Sequence, residues 1–235
     1  MKKVAFLVPA CSYNLPEGDL NDQHLVKIFL GSLLANTPDF DIRIYIGFND
    51  DDPLYSHEDN RVELSSRIYD HFNIHISWYK FSNEYRGKPT WIWNDLTRRA
   101  INDNYHYMFA CGDDIEFPKQ KEWLGVMLKQ LKSTNNIGIA GGDSGNPNLP
   151  MTQFLFHKTH YDIFSFLFPA MIHAWFCDNW LQEVYPKKYV HYCEQYKLLN
   201  LGGKPRYAPK DDKELCNMLV RRHKPIIIRK ISLIQ

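Results

Sequence analysis

"YMFACGDDIEF", Tyr107 to Phe117, is the stretch that decides the fold. Its first half is apolar without polar alternation, as in a strand buried on both faces. It ends in Gly112, Asp113 and Asp114, and burying adjacent carboxylates is costly unless each finds a partner. Strands of this kind belong to parallel sheets covered by helices, where ligands bind beyond the carboxyl ends of the strands. The acidic pair therefore stands where a ligand would.

Working outward, strand and helix patterns alternate over the first 140 or so residues. Strands are predicted at 4–10, 41–48, 74–81, 105–111 and 137–142, and helices at 19–38, 61–72, 88–103 and 119–134. Pro38 stops the first helix and Pro89 opens the third. This alternation predicts an α/β fold with a mostly parallel central sheet flanked by helices. After "GGDSGNPNLP" the pattern becomes irregular. An aromatic, strand-like segment (153–164), a short helix (177–185), a turn at "LGGKPRY" (201–207) and a final strand (224–234) are expected. One domain, 1–235, is expected, with a nucleotide-type half at 1–143 and an irregular half at 144–235.

The 28 Lys and Arg against 27 Asp and Glu leave a net charge of +1, so no global field points to nucleic acid. The five cysteines, Cys11, Cys111, Cys177, Cys193 and Cys216, are odd in number and form no C-x-x-C pair. That fits a reducing cytoplasm and argues against a zinc ribbon or a disulfide framework. "MKKVAFLVPAC" resembles a short lipoprotein signal, but its apolar run is only about seven residues and contains Pro9, so a first buried strand explains it better. No later run approaches the roughly 18 apolar residues of a membrane span.

Three strand ends meet in one crevice: Pro9 to Tyr13, Asp50 to Asp52, and Asp113 with Asp114. Mg²⁺ or Mn²⁺ binds through one or two carboxylates plus substrate phosphates, and would offset the cost of holding these charges in the sheet. The competing reading is a solvated turn, which Asp favours. Glu116 and the second acidic cluster favour the metal.

The order of "VAFLVPA", "YIGFNDDD", "GKPTWIWNDLTRRA", "FACGDDIEF", "WFCDNWLQEVY" and "GGKPRY" resembles a nucleotide-sugar-dependent glycosyltransferase of the GT-A (Rossmann-like) fold. The likeness is to small soluble enzymes of large DNA viruses and protists, and implies a cytoplasmic protein (host cytoplasm if viral). It also implies a nucleotide-sugar donor and a glycan or glycoconjugate acceptor. In that family the fourth strand ends in Asp-x-Asp, which binds metal and diphosphate. The matching triplet here is Gly112-Asp113-Asp114. Asp114 is thus the expected direct metal ligand, with Asp113 on a sugar or ribose hydroxyl or a metal-bound water. Pro9, Ala10 and Cys11 are expected along the nucleoside. Asp50, Asp51 and Asp52 are expected at the base or ribose, where a carboxylate accepting a uracil N–H favours UDP-sugars over GDP-sugars. A capped turn is the alternative for that loop.

Lys88 and Asn94 match the helix beneath the nucleotide, with Lys88 against phosphate or base. Trp91 is expected in the core, and Arg98 and Arg99 on a solvated helix face. Inversion at the sugar needs a base for the acceptor hydroxyl. Asp178, among Trp175, Phe176 and Trp180, is the expected one, its pKa raised by burial. Asn179 replaces a second acid of many relatives, a shifted alignment would leave Glu183, and helix capping is the structural alternative for Asp178. Arg206 is expected over the diphosphate as a bidentate donor. His191 and His223 are late metal-ligand candidates, each also readable as structural. A non-catalytic nucleotide-sugar- or glycan-binding protein on the same fold is the second functional reading. A sugar-phosphate nucleotidyltransferase is the third, disfavoured because "PACSYNLPEGD" lacks the glycine-rich basic loop that would hold triphosphate.

Overall fold

In the computed structural model, which describes residues 2–13, 19–36, 39–146, 149–203 and 211–234, the apolar runs of the first half become strands side by side. They are β1 (Lys3–Pro9), β2 (Asp41–Asn49), β3 (His75–Phe81) and β4 (Tyr107–Ala110). The two-residue β5 (Ile115–Glu116) follows, then β6 (Ile139–Asp143), β7 (Phe154–His157), β8 (Val190–Lys197) and β9 (Leu199–Asn200). The main sheet has the order β3-β2-β1-β4-β7-β6-β8, and β5 pairs with β9 as a separate ribbon. Four of its six pairings are parallel; β7 runs antiparallel to both neighbours.

β1 shows why these strands read as unbroken apolar runs. Val4, Phe6 and Val8 enter one hydrophobic cluster, while Ala5 and Leu7 enter another on the opposite face. A π-helix (Leu25–Leu30) leading into α1 (Gly31–Ala35), together with α2 (Glu58–Phe72) and α4 (Trp123–Ser133), covers the first face. The second is covered by α3 (Pro89–Asn102), α5 (Thr159–Phe164), α6 (Cys177–Val184) and α7 (Lys213–Ile234). The strands β7 and β8 come from beyond residue 143, so both halves of the chain build one sheet. Among the described residues, no helix is long and apolar enough to cross a membrane.

Three expectations need correction. The final strand at 224–234 is instead the second half of α7, with Pro225 inside the helix. Its β-branched residues misled, but burial follows helical spacing: Cys216, Leu219, Val220, Ile227 and Ile231 face the core. Segment 153–164 is a strand only to His157, after which Thr159 starts α5. The break is marked by the Thr159 N–H donating to His157 Nδ1 at 3.2 Å. The first helix does not begin at 19: Asp19 caps a single 3₁₀ turn, and continuous helix starts at Leu25. The strand predicted at 137–142 forms as β6, with β7 between it and β4.

Candidate active site

Parallel pairing brings the carboxyl ends of β1, β2 and β4 to one edge. Pro9 lies opposite Gly47, Leu7 opposite Ala110, and the Ala10 N–H donates to the Gly47 carbonyl at 2.8 Å. The three acids after β2 then separate. Asp52 is fully buried. Its Oδ1 accepts from Ser12 Oγ (2.5 Å), Tyr55 N (2.8 Å) and Leu54 N (3.1 Å), and its Oδ2 from Ser12 N (2.8 Å). It latches the β1 loop to the β2 loop, which is the capped-turn reading in its strongest form. Asp51 accepts from Tyr13 Oη and pairs with Arg86, whose guanidinium also donates to Tyr13 Oη at 2.8 Å and lies 4.8 Å above that ring. Asp50 is exposed, as Asp51 is, and its backbone N–H donates to the Phe81 carbonyl.

The acids after β4 are arranged differently. Asp113 is buried, and its Oδ2 accepts from the Cys11 N–H at 3.2 Å. Asp114 is 9% exposed and sits between two glycines. A Cβ on Gly112 would lie 2.6 Å from its Oδ1, and one on Gly202 only 2.0 Å from its Oδ2. The absence of side chains at both positions is what leaves this carboxylate its room. The loop bearing Gly202 is brought here by β5 and β9 and by the Leu201 N–H on the Asp114 carbonyl at 2.9 Å.

Two carboxylates are the hard oxygen donors that Mg²⁺ or Mn²⁺ prefers. Among the described residues, no three His, Cys, Asp or Glu side chains gather as a complete metal cage. Neither late histidine joins the acids. His191 pairs with Ala140 in the first half of β6, away from the strand ends, and its Nε2 meets Thr134 Oγ1 at 3.1 Å. His223 packs against Phe164, Phe166 and Trp180.

Lys88 caps α3 with its ammonium 3.9 Å from the centre of the Trp91 ring, and Trp91 Nε1 donates to the Ala170 carbonyl. Asn94 is engaged by a loop: it donates to the Phe168 carbonyl and accepts from the Leu167 and Phe168 N–H groups. It fixes the 167–168 turn and does not face the strand ends. Arg98 and Arg99 pair with Asp95 on the same helix. Arg206 lies outside the described residues.

Asp178 occupies the first turn of α6, directly after Phe176, whose φ of 68° is the left-handed region that bulky side chains avoid. Asp178 Oδ1 accepts from the Asn179 N–H at 3.0 Å. Desolvation pushes its pKa up to about 6, against the lowering effect of its backbone hydrogen bonds. The surroundings differ from those expected. Trp180 is buried in a ring cluster with His160, Phe164, Phe166 and His223, while Trp175 is 46% exposed. The base candidate instead neighbours Cys216 and Tyr192, whose ionisation it bears on after burial. Tyr192 Oη donates to Gln182 Oε1 (2.6 Å), which also accepts from the Met151 N–H (3.0 Å), tying α6 to β8 and to the loop before β7.

No family model matches the chain, and no curated protein matches it. Solved structures do share its fold. Residues 1–349 of TarS from S. aureus superpose with a TM-score of 0.55 at 13% identity, covering 84% of this chain and 59% of that one. The chain thus spans less than two thirds of that structure. A chain described as a glucose-1-phosphate thymidylyltransferase of Bacillus anthracis superposes with a TM-score of 0.53 at 12% identity, covering 94% and 95%. At such identities the likeness is one of architecture, an α/β Rossmann-like fold.

Two residues at this edge were not read from the sequence: Gly202 and Arg86. The glycine pair in "NLGGKPRY" was visible as a turn, but nothing in the chain order says that the turn returns to Asp114.

Proposed function

We propose that the protein transfers a sugar from a nucleotide-sugar, a UDP-sugar before a GDP-sugar, to a glycan acceptor with inversion at the anomeric carbon. The observation that carries this reading is the Asp114 carboxylate held in a slot between Gly112 and Gly202 at a parallel strand end. Asp114, assisted by Asp113, would hold Mg²⁺ or Mn²⁺, which when bound neutralises the diphosphate and improves it as a leaving group. The nucleoside would lie along Pro9, Ala10 and Cys11, with Asp50 at the base and Lys88 or Arg206 toward the phosphates. The acceptor hydroxyl attacks the anomeric carbon while the bond to the diphosphate breaks. The proton passes to Asp178, and the electron pair leaves with the diphosphate. A base whose pKa lies near 6 is charged at neutral pH and still takes a proton readily.

The fold is common to TarS, a glycosyltransferase, and to a thymidylyltransferase, so it does not choose between the chemistries. The second structure matches nearly end to end, which keeps nucleotidyl transfer as the rival reading. The loop after β1 argues against it: from Ala10 to Asp19 there is no Lys or Arg to hold a triphosphate. The deciding experiment is a thermal-shift screen of UDP-, GDP- and CMP-sugars and of free nucleoside triphosphates, each with and without Mn²⁺. Ligands that bind the folded state raise Tm by mass action. A rise with UDP-sugar and Mn²⁺ is expected; a rise with triphosphates alone would replace sugar transfer by nucleotidyl transfer.

A further inference from the structure

Asp178 and Gln182 stand one turn apart on the same face of α6, and both are half-buried. The Gln182 amide is held in one orientation. Its Oε1 accepts from the Met151 N–H at 3.0 Å and from Tyr192 Oη at 2.6 Å. A backbone N–H only donates, so the atom it meets is the amide oxygen, and the amino group is turned the other way. Among the described residues that amino group makes no hydrogen bond. Tyr192 is 44% exposed; burial raises the pKa of its phenol, and the nearby Asp178 carboxylate adds to the rise. This cluster lies on the far side of β4 from the loops expected to hold the nucleoside. In the sheet order β1 and β2 fall to one side of β4, while β7, β6 and β8 fall to the other. Tyr192 sits on β8 opposite Gly141, and Met151 lies three residues before Phe154, which pairs with Ala110 at the end of β4. The antiparallel entry to β7 therefore passes the strand end that carries Asp113 and Asp114.

We infer that Gln182 selects the acceptor sugar: its amino group donates to one hydroxyl of a sugar ring while Asp178 accepts from another, with Tyr192 as the positioning residue that holds the amide. The inference rests on the reading of Asp178 as the base at an acceptor site and adds what recognises the acceptor there. A carboxylate alone accepts only, and would take any alcohol. A donor fixed one turn away demands a second oxygen on the same ligand, and a sugar hydroxyl both donates and accepts. A nucleobase also offers donors and acceptors, but the nucleoside loops stand on the other side of β4. If Gln182 were only a strut between α6 and the sheet, its oxygen would do all of the work and its amino group none. The substitution Gln182→Glu separates the two roles, because it keeps an oxygen for Met151 and Tyr192 and removes the donor.

The test is a saturation-transfer NMR titration of the full chain with methyl glycosides of glucose, galactose, mannose and xylose, both anomers of each. Beside it run the Tm of each variant and a turnover assay with UDP-glucose, UDP-galactose and UDP-N-acetylglucosamine in Mn²⁺. At least one glycoside should bind wild type. Gln182→Glu should weaken that binding about tenfold, the scale of one lost hydrogen bond, with Tm nearly unchanged. Tyr192→Phe, which leaves the amide held by Met151 alone, should weaken it by a few-fold, again without a matching loss of Tm; it carries the test if Gln182→Glu fails to fold. The inference is overturned if no glycoside of the panel binds, or if the folded variants bind as tightly as wild type. A glycoside bound through Gln182 with no UDP-sugar turned over would keep this inference and remove sugar transfer. Sugar transfer to a glycoside whose KM is the same in Gln182→Glu as in wild type would do the reverse.

Discussion

Asp52 and Asp114 are both aspartates after the carboxyl end of a parallel strand, and both are nearly inaccessible, yet their surroundings differ. Four donors from Ser12, Leu54 and Tyr55 converge on Asp52, so its charge is spent on holding two loops together. Asp114 is bordered by two glycines whose missing side chains keep a space around its oxygens. An acid's role at a strand end is set by what surrounds it, and short stretches as alike as "NDDD" and "GDD" conceal that difference.

The largest effect should come from the third acid, Asp178, which combines burial with backbone hydrogen bonds only. Asp178→Asn should lower kcat by about 10²- to 10⁴-fold while leaving donor affinity near its original value. In the wild type, kcat should fall as pH drops through about 6, where the base becomes protonated. Stability should move the other way. Because the folded pKa is raised, the stabilising contribution is complete below the ordinary carboxylate range and is lost as pH rises through about 6. The Asn variant, always neutral, should therefore melt higher than wild type at neutral pH. A variant keeping more than about a tenth of normal turnover would remove Asp178 from the mechanism.

Next in size is Asp52→Ala. It strips the acceptor from four donors at once and should cost about 3 kcal/mol, lowering Tm by roughly 6 to 12 °C. Donor affinity, measured well below the melting point, should change little if Asp52 is only a latch. A selective loss of UDP-sugar binding with unaltered Tm would reverse the contrast drawn with Asp114. Gly202→Ala comes third. Its new methyl must push the Asp114 carboxylate aside, so donor affinity in Mn²⁺ should drop about tenfold, an effect read by titration. The smallest expected change is Asp50→Asn, which should shift the preference for UDP over GDP by only a few-fold in a competition assay.

The sheet was legible because β1, β2 and β4 are largely buried and read as apolar runs, while the edge strand β3 alternates. The insertion of β7 between β4 and β6 was not, since antiparallel pairing of segments far apart in sequence leaves no local signal. The run "IIIRK" read as a strand because isoleucine favours strands, and only the burial of Ile227 and Ile231 in the second hydrophobic cluster shows that they answer a helical period. The site was legible in the same uneven way. Asp113, Asp114 and Asp178 could be singled out as acids in suggestive positions. That Asp52 is a latch, that Asn94 holds the 167–168 turn, and that Gly202 faces Asp114 all depend on contacts between distant segments.

The most direct measurement is a calorimetric titration of UDP-sugar into wild type and Asp114→Ala, with Mn²⁺ present and absent, beside the Tm of both proteins. The account predicts binding by wild type only with Mn²⁺, none by Asp114→Ala in either condition, and closely similar melting temperatures. Equal affinity of the two proteins in Mn²⁺ would contradict it.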